Sequence, residues 1–475
     1  MEDVTGKSHL EEEKEESFLR RLALGALAAG ILLWPAVYNG YPTVFSDTGG
    51  YLLTGKFFLA LAPFRAPGYA IFTKFASLGI SAWPAVVAQA LMAAYVLRRA
   101  CDYLIDGDRK FGGLWFLASV CVMAALTSLP WTASLLMPDV FAGILFLAAF
   151  LLAFDDDLRT RQRVVLAAIF SISAAAHSSL LPIAALFAAA ALILKYLTGT
   201  TRTFSFARPV LAWLFVPILV AGCCTAELNW QMDLGFRLSP SRNSFLLARL
   251  FGDGLAADFL RENCPKQAFL SCQYLPDLPR TQEQFLFQHP LFKQLLDGHQ
   301  DEMQAIVRGT LHAYPLRFLK SSARETLLQL SALRTGDEIR SYGAREWNSE
   351  VIPRVFPADL QAFENARQYS GRLTPLADAS ASVDMIAFWL SVATCLLLAG
   401  TGRFGRMNIF FYSALAYLVI NASICASFAG VYDRYQGRVA WIMPFCLAAY
   451  SCCFARDWKR SEALPEIEEL EAPAE

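Results

Sequence analysis

Charge is scarce in this sequence. Of 475 residues only 17% are Asp, Glu, Lys or Arg, while 55% are hydrophobic, and a soluble chain of this length rarely carries so few charges. The 41 basic and 42 acidic residues nearly cancel, so net charge selects no partner. No basic, aromatic-studded patch points to nucleic acid. Histidine is rare, and His289, His299 and His312 lack metal-ligand spacing; surface or capping roles suit them better. No internal repeat or low-complexity linker divides the chain.

Long apolar runs take the place of charge. They reach about 17–23 residues, the length a helix needs to cross about 30 Å of hydrocarbon. Ten candidate spans follow: 22–40, 81–97, 113–130, 137–154, 163–177, 180–197, 209–227, 384–400, 407–428 and 439–455. The fifth and sixth form one apolar stretch broken by "AHSSLLP", read as a tight turn; one long broken helix is the alternative. The expected fold is therefore an all-α polytopic membrane protein.

The loops "RRACDYLIDGDRKF", "DDDLRTRQR", "KYLTGTTRTFSFAR" and "TGRFGR" hold twelve basic residues, whereas 131–136 and 178–179 hold none. Positive loops stay inside, which places both termini in the cytoplasm of a bacterial inner membrane. The acidic lead-in "HLEEEKEESFLRR" argues for an anchor rather than a cleaved signal peptide. Four parts result: a tail at 1–21 leading into a transmembrane module at 22–227, an exterior segment at 228–383, three spans at 384–455, and an acidic tail at 456–475. Within the module, 41–80 is an exterior stretch in which "RAPGYAIFTKFASLG" reads as an interfacial helix.

The exterior segment reads as mainly helical. "SFLLARLFGDGLAADFLREN" is helical in period but broken at "GDG". "DEMQAIVRGTLHAYPLRFLKSSARETLLQLSAL" gives two amphipathic pieces meeting at Pro315. Of eleven cysteines, nine fall in or beside spans. Cys264 and Cys272 lie in the exterior segment, where a disulfide is permitted, and are expected to pair. "NAS" at 421–423 matches a glycosylation acceptor but lies inside a span, which excludes it.

Polar residues gather on one rim: Asp47 in "FSDTGG", Asp139 in "LLMPDVFAG", the turn His177-Ser178-Ser179, and Asp433, Arg434 and Arg438 in "YDRYQGRVAW". Ionisable groups at membrane depth face a cavity or a partner. Two arginines suit a phosphate, and a carboxylate beside them suits a general base. A lipid-phosphate substrate meets both needs. Each residue alone also has a plainer role: Asp139 after Pro138 as a helix N-terminal acid, His177 as a hairpin cap, Arg438 as an anchor beside Trp441, Asp433 as an ion-pair partner, and Asp47 as an Asx-turn residue.

The order of these parts resembles the GT-C glycosyltransferases, polytopic enzymes that use polyprenyl-phosphate-linked sugars. The features that carry the resemblance are the acid of "FSDTGGYL" after the first span, the segment "FRAPGYAIFTKFASLG", a second acid at Asp139, a large late exterior segment, and "YDRYQGRVAW". It departs in having Thr48 where many members have a second adjacent acid, and in having three spans after the exterior segment. The resemblance implies that Asp47 is the catalytic base and that Asp139 assists it or holds a divalent metal. It implies that Arg434 and Arg438 bind the donor phosphate; the clustering on one rim adds His177, Tyr432 and Tyr435 as candidate pocket residues. A sugar would pass, with inversion, from a lipid-linked donor to an envelope lipid or glycan acceptor on the periplasmic side. Oxygen ligands would suit Mg²⁺ or Mn²⁺. Rival expectations are a transporter or flippase for lipid-linked saccharides, a polymerase or ligase, and a non-catalytic envelope assembly protein.

Overall fold

The chain folds from helices: among the described residues there is no strand, and one isolated bridge pairs Thr43 with Leu135 in parallel. A computed structural model describes residues 19–58, 65–105, 109–198, 204–336, 339–343, 346–402 and 405–455. The tail at 456–475 and all but the end of the tail at 1–21 lie outside the described residues.

The first expected span is two helices, α1 (19–32) and α2 (Trp34–Asn39). Pro35 falls in the first turn of α2, where its missing N–H costs nothing. Next come α3 (Thr48–Phe57), α4 (Pro67–Ala76), α5 (Trp83–Ile105), α6 (Arg109–Leu126) and α7 (Leu129–Ser134). Helix α5 runs past its expected end at 97, and Asp102 there pairs with Arg98 and Arg99, each at 3.0 Å.

Helix α8 (Val140–Phe154) contains no polar residue, and all 15 of its residues are buried. A helix apolar on every side belongs at the centre of a bundle. Around it stand α9 (Thr160–Ala176), α10 (Leu180–Leu197) and α11 (Phe204–Gln231). The stretch 163–197 is thus two helices, turned at His177–Ser179.

The segment expected to be exterior, 228–383, contains α12 (Arg242–Gly252), α13 (Leu255–Asn263), α14 (Pro290–Leu296), α15 (Gln300–Ala313), α16 (Pro315–Ser331), α17 (Trp347–Val355) and α18 (Leu360–Asn365). Gly254 takes φ +74° between α12 and α13, a conformation glycine adopts without a Cβ penalty. Pro315 starts α16 rather than ending α15. Cys264 and Cys272 form a disulfide. His289 caps α14 by accepting from Leu291 N–H at 3.2 Å.

This segment has two allegiances. Leu247, Phe251, Leu260, Phe285, Leu295 and Ile306 belong to a core of their own. Leu333, Tyr342, Val351, Ile352, Phe356 and Phe363 instead join the main core. That second part covers α3, whose Thr48–Gly55 are all buried, so α3 is an inner helix rather than one lying on a surface. Helix α4 keeps an exposed side that includes Phe75.

The chain ends in α19 (Thr374–Gly400), α20 (Gly405–Phe428), α21 (Asp433–Ala440) and α22 (442–455). Among the described residues five segments are long and apolar enough to cross a membrane: Leu180–Leu197, Pro209–Gln231, Thr374–Gly400, Gly405–Phe428 and Asp433–Ala455. They mark a membrane protein. The other five expected spans fall on shorter or more polar helices: α1, 14 described residues ended at Leu33; α5, long but carrying Arg98, Arg99 and Asp102; α6, apolar over Gly112–Leu126; α8, with 15 residues; and α9, with 17.

Candidate functional site

Two loops far apart in sequence are stitched together first. Thr43 N–H donates to Ser134 at 3.0 Å, and Leu136 N–H donates back to Thr43 at 2.9 Å. Thr48 Oγ1 accepts from Phe45 N–H at 2.9 Å and donates to the Leu136 carbonyl at 3.1 Å. Gln89, buried on α5, donates to the Ala133 and Leu135 carbonyls and accepts from Tyr69. Backbone groups withdrawn from water need such partners, and meeting that need sets Asp47 beside Asp139.

The exterior segment holds the same loop from the other side. Gln368 bonds both the N–H and the carbonyl of Val44, at 2.9 and 2.7 Å. Asn348 accepts from Gly49 N–H and donates to the Phe45 carbonyl. Asp359 accepts from Tyr41, Ser81 and Ala82 N–H. Asp47 therefore sits at the start of α3 on a loop clamped by both halves of the chain.

Helix α21 brings the arginines. Arg434 and Arg438 are four apart and so share a face. Arg434 Nη1 lies 3.6 Å from Asp47 and its Nε 3.3 Å from Asp139, with its guanidinium 4.4 Å from the centre of the Phe45 ring. Arg65 Nη2 takes the other oxygen of Asp47 at 2.5 Å. Asp139 is 1% exposed, and neither of its oxygens has a hydrogen-bond partner. That is a costly state for a carboxylate, offset by the adjacent guanidinium.

Arg438 is also 1% exposed. Its Nη2 donates to Asn421 Oδ1 at 2.9 Å and Ser179 Oγ at 3.1 Å, and contacts Cys425. Its Nε and Nη1 have no partner. His177 reaches this arginine through Ser179: its Nδ1 accepts from Ser179 N–H at 3.2 Å and lies 2.8 Å from Ser179 Oγ. Burial, then Arg438, Arg434 and Arg65, hold the imidazole well below its usual range, and so neutral. His177 is both a turn cap and a neighbour of the cluster. Tyr435 lies under both guanidiniums, at 5.3 and 5.4 Å, and packs edge-on against Tyr432.

With a neutral His177, two carboxylates face three guanidiniums, leaving one positive charge in excess. Asp139, Arg434 and Arg438 line one cavity with Trp131 and Thr335. Its volume is about 30 Å³, room for one or two waters and too small for a sugar. The cavity is closed on one side by residues 334–336. Arg334 N–H donates to Asp433 at 3.2 Å, and its side chain pairs with Asp378 at 2.6 Å. Thr335 donates to Asp384, which is 1% exposed within α19.

The carboxylate pair does not fit a resident Mg²⁺ or Mn²⁺. Among the described residues no group of three or more His, Cys, Asp or Glu could hold a metal, and the Arg434 guanidinium already bridges the two acids.

Asp47, Asp139, Arg434, Arg438, His177 and Tyr435 are thus brought together, with Tyr432 packed behind. Cys264 and Cys272 lie in another part of the fold. Arg65, Asn421, Thr335 and Asp384 escaped the sequence reading. A basic residue immediately before "APGY" and a lone Asn inside a span were the available signals.

No family model matches the chain, and neither a curated protein nor a solved structure does.

Proposed function

We propose that this is a multi-pass glycosyltransferase of the GT-C kind, with ten crossings of a bacterial inner membrane and both termini cytoplasmic. It would move a sugar from a polyprenyl-phosphate donor to an envelope lipid or glycan on the periplasmic side. One observation carries the reading: Asp47 and Asp139 converge on Arg434, while Arg438 beside Arg434 and Asp139 in the cavity wall keeps two nitrogens, Nε and Nη1, without partners.

The roles follow from those contacts. Asp47 takes the proton of the acceptor hydroxyl, whose oxygen then bonds the anomeric carbon as the bond to the phosphate oxygen breaks. The lipid phosphate leaves with that electron pair, and the excess charge of Arg438 holds it. Arg434 orients both acids rather than binding the donor alone. Arg65 must leave Asp47 for the acceptor to reach it, and the cavity must widen beyond two waters. Inversion needs one base and a bound leaving group, not the paired carboxylates of a glycosidase.

A second reading is transport of a lipid-linked saccharide. Asp384 favours it: it is a buried acid, paired with no cation among the described residues, in a helix long enough to span a membrane.

Glycan and lipid profiling of a deletion strain, complemented with variants, decides between them. Asp47→Asn at normal expression should lose product and accumulate donor, while Asp384→Asn retains product. Full product with Asp47→Asn would overturn the enzyme reading, and loss with Asp384→Asn alone would favour transport.

A further inference from the structure

A second cavity, about 150 Å³, lies between α3, α4 and the end of α17, lined by Leu52, Lys56, Thr73, Lys74, Ser77 and Phe356. It is separate from the acid–arginine cluster. Lys56 stands nine residues along α3 from Asp47, about 13 Å at helical rise.

Two cations meet there without an acid. Neither lysine has a carboxylate within ion-pair distance among the described residues. Lys56 donates to the carbonyls of Arg354 and Val355, and the Lys74 ammonium lies 5.6 Å from the centre of the Phe58 ring. Both elements end in unusual backbone. Phe58 after α3 has φ +52° and Leu78 after α4 has φ +54°, conformations that side chains avoid unless the surroundings impose them. Next in sequence to the lining residues Lys74, Ser77 and Gly79, the side chains of Phe75, Leu78 and Ile80 are 71%, 72% and 65% exposed. Positive charge in a cleft beside bare apolar side chains is the chemistry of a membrane-surface contact.

We propose that this cavity binds the headgroup of an anionic phospholipid. The phosphate sits between Lys56 and Lys74, and the acyl chains lie along Phe75, Leu78 and Ile80. A free phosphate would satisfy the lysines but leave these exposed apolar side chains in water, so they select a lipid. Bound there, the lipid ties the α3–α4 pair to the membrane surface without touching the acids.

The test uses the full chain purified in detergent, its thermal unfolding followed with added dioleoyl phosphatidylglycerol, dioleoyl phosphatidylcholine or inorganic phosphate. Phosphatidylglycerol should raise Tm, and the other two should not. Lys56→Gln/Lys74→Gln should remove that rise. Because Lys56 also holds two carbonyls, Lys74→Gln alone is the control for folding, and it should weaken half-saturation at least tenfold. An unchanged response in both variants overturns the site. An equal response to phosphatidylcholine overturns the charge selection, and an equal response to inorganic phosphate overturns the lipid.

Discussion

The Arg434 guanidinium, 13% exposed, lies 3.3 Å from the Asp139 carboxylate, which is 1% exposed. A charge pair removed from water is worth little as a pair but much to its survivors. Arg434→Met should therefore destabilise the protein by about 3–5 kcal/mol, because Asp139 is left buried and alone. Adding Asp139→Asn should recover most of that loss. Thermal unfolding of the two single variants and the double variant measures the coupling, and additive losses would refute it.

Asp47 is partly exposed and is held by Arg65 as well as Arg434. Asp47→Asn should change stability by no more than about 1 kcal/mol, as for other accessible ion pairs. Under the proposed function it should lower product by about 10²-fold or more, the scale of a lost general base. Quantitative lipid-linked glycan analysis at matched expression checks both halves.

His177 gives a pH dependence with a definite sign. Its folded pKa is lowered by burial and then by Arg438, Arg434 and Arg65, so the unfolded chain takes up a proton first as pH falls. Stability from this group is complete above the ordinary value of 6.5 and declines as pH drops toward the folded value. His177→Gln should flatten that slope. Unfolding midpoints across this range, wild type against variant, provide the measurement; parallel curves would refute it.

The disulfide between Cys264 and Cys272 closes a loop with a sequence separation of 8. A loop that short restrains the unfolded chain by about 2.5 kcal/mol in the chain-entropy account. Cys264→Ser/Cys272→Ser should therefore leave the expression of the membrane helices intact while speeding proteolysis within 242–318. Equal cleavage rates would mean that the core around Phe251 and Phe285 suffices.

The acids and arginines were legible because each breaks a local rule. A lone Asp at the end of a greasy run, or two Arg four apart before another, has few reasons to be there. Arg65 was not legible, because the contact it makes depends on how the chain returns from α3. Asp384 was hidden by placing the start of a span on it, when the helix begins ten residues earlier at Thr374. Hydropathy also overstated the continuity of α1 and α2, since an apolar run does not register the interruption before Pro35. The amphipathic stretches of the exterior segment announced helices but not partners. Nothing in their period says that α12–α15 pack on themselves while α17 covers α3.

The bridge between Thr43 and Leu135 has a consequence for the order of assembly. Everything needed to set Asp47 beside Asp139 through Gln89 and Thr48 is synthesised within the first 139 residues, yet the guanidinium that bridges the two acids arrives some 300 residues later. Until α21 docks, Asp47 is already paired with Arg65, whereas the buried Asp139 has no cation beside it and only a proton or trapped solvent can ease its charge. The arrival of α21 is therefore what gives Asp139 its counter-charge. A chain stopped before residue 434 would be left as an unneutralised intermediate, open to quality control.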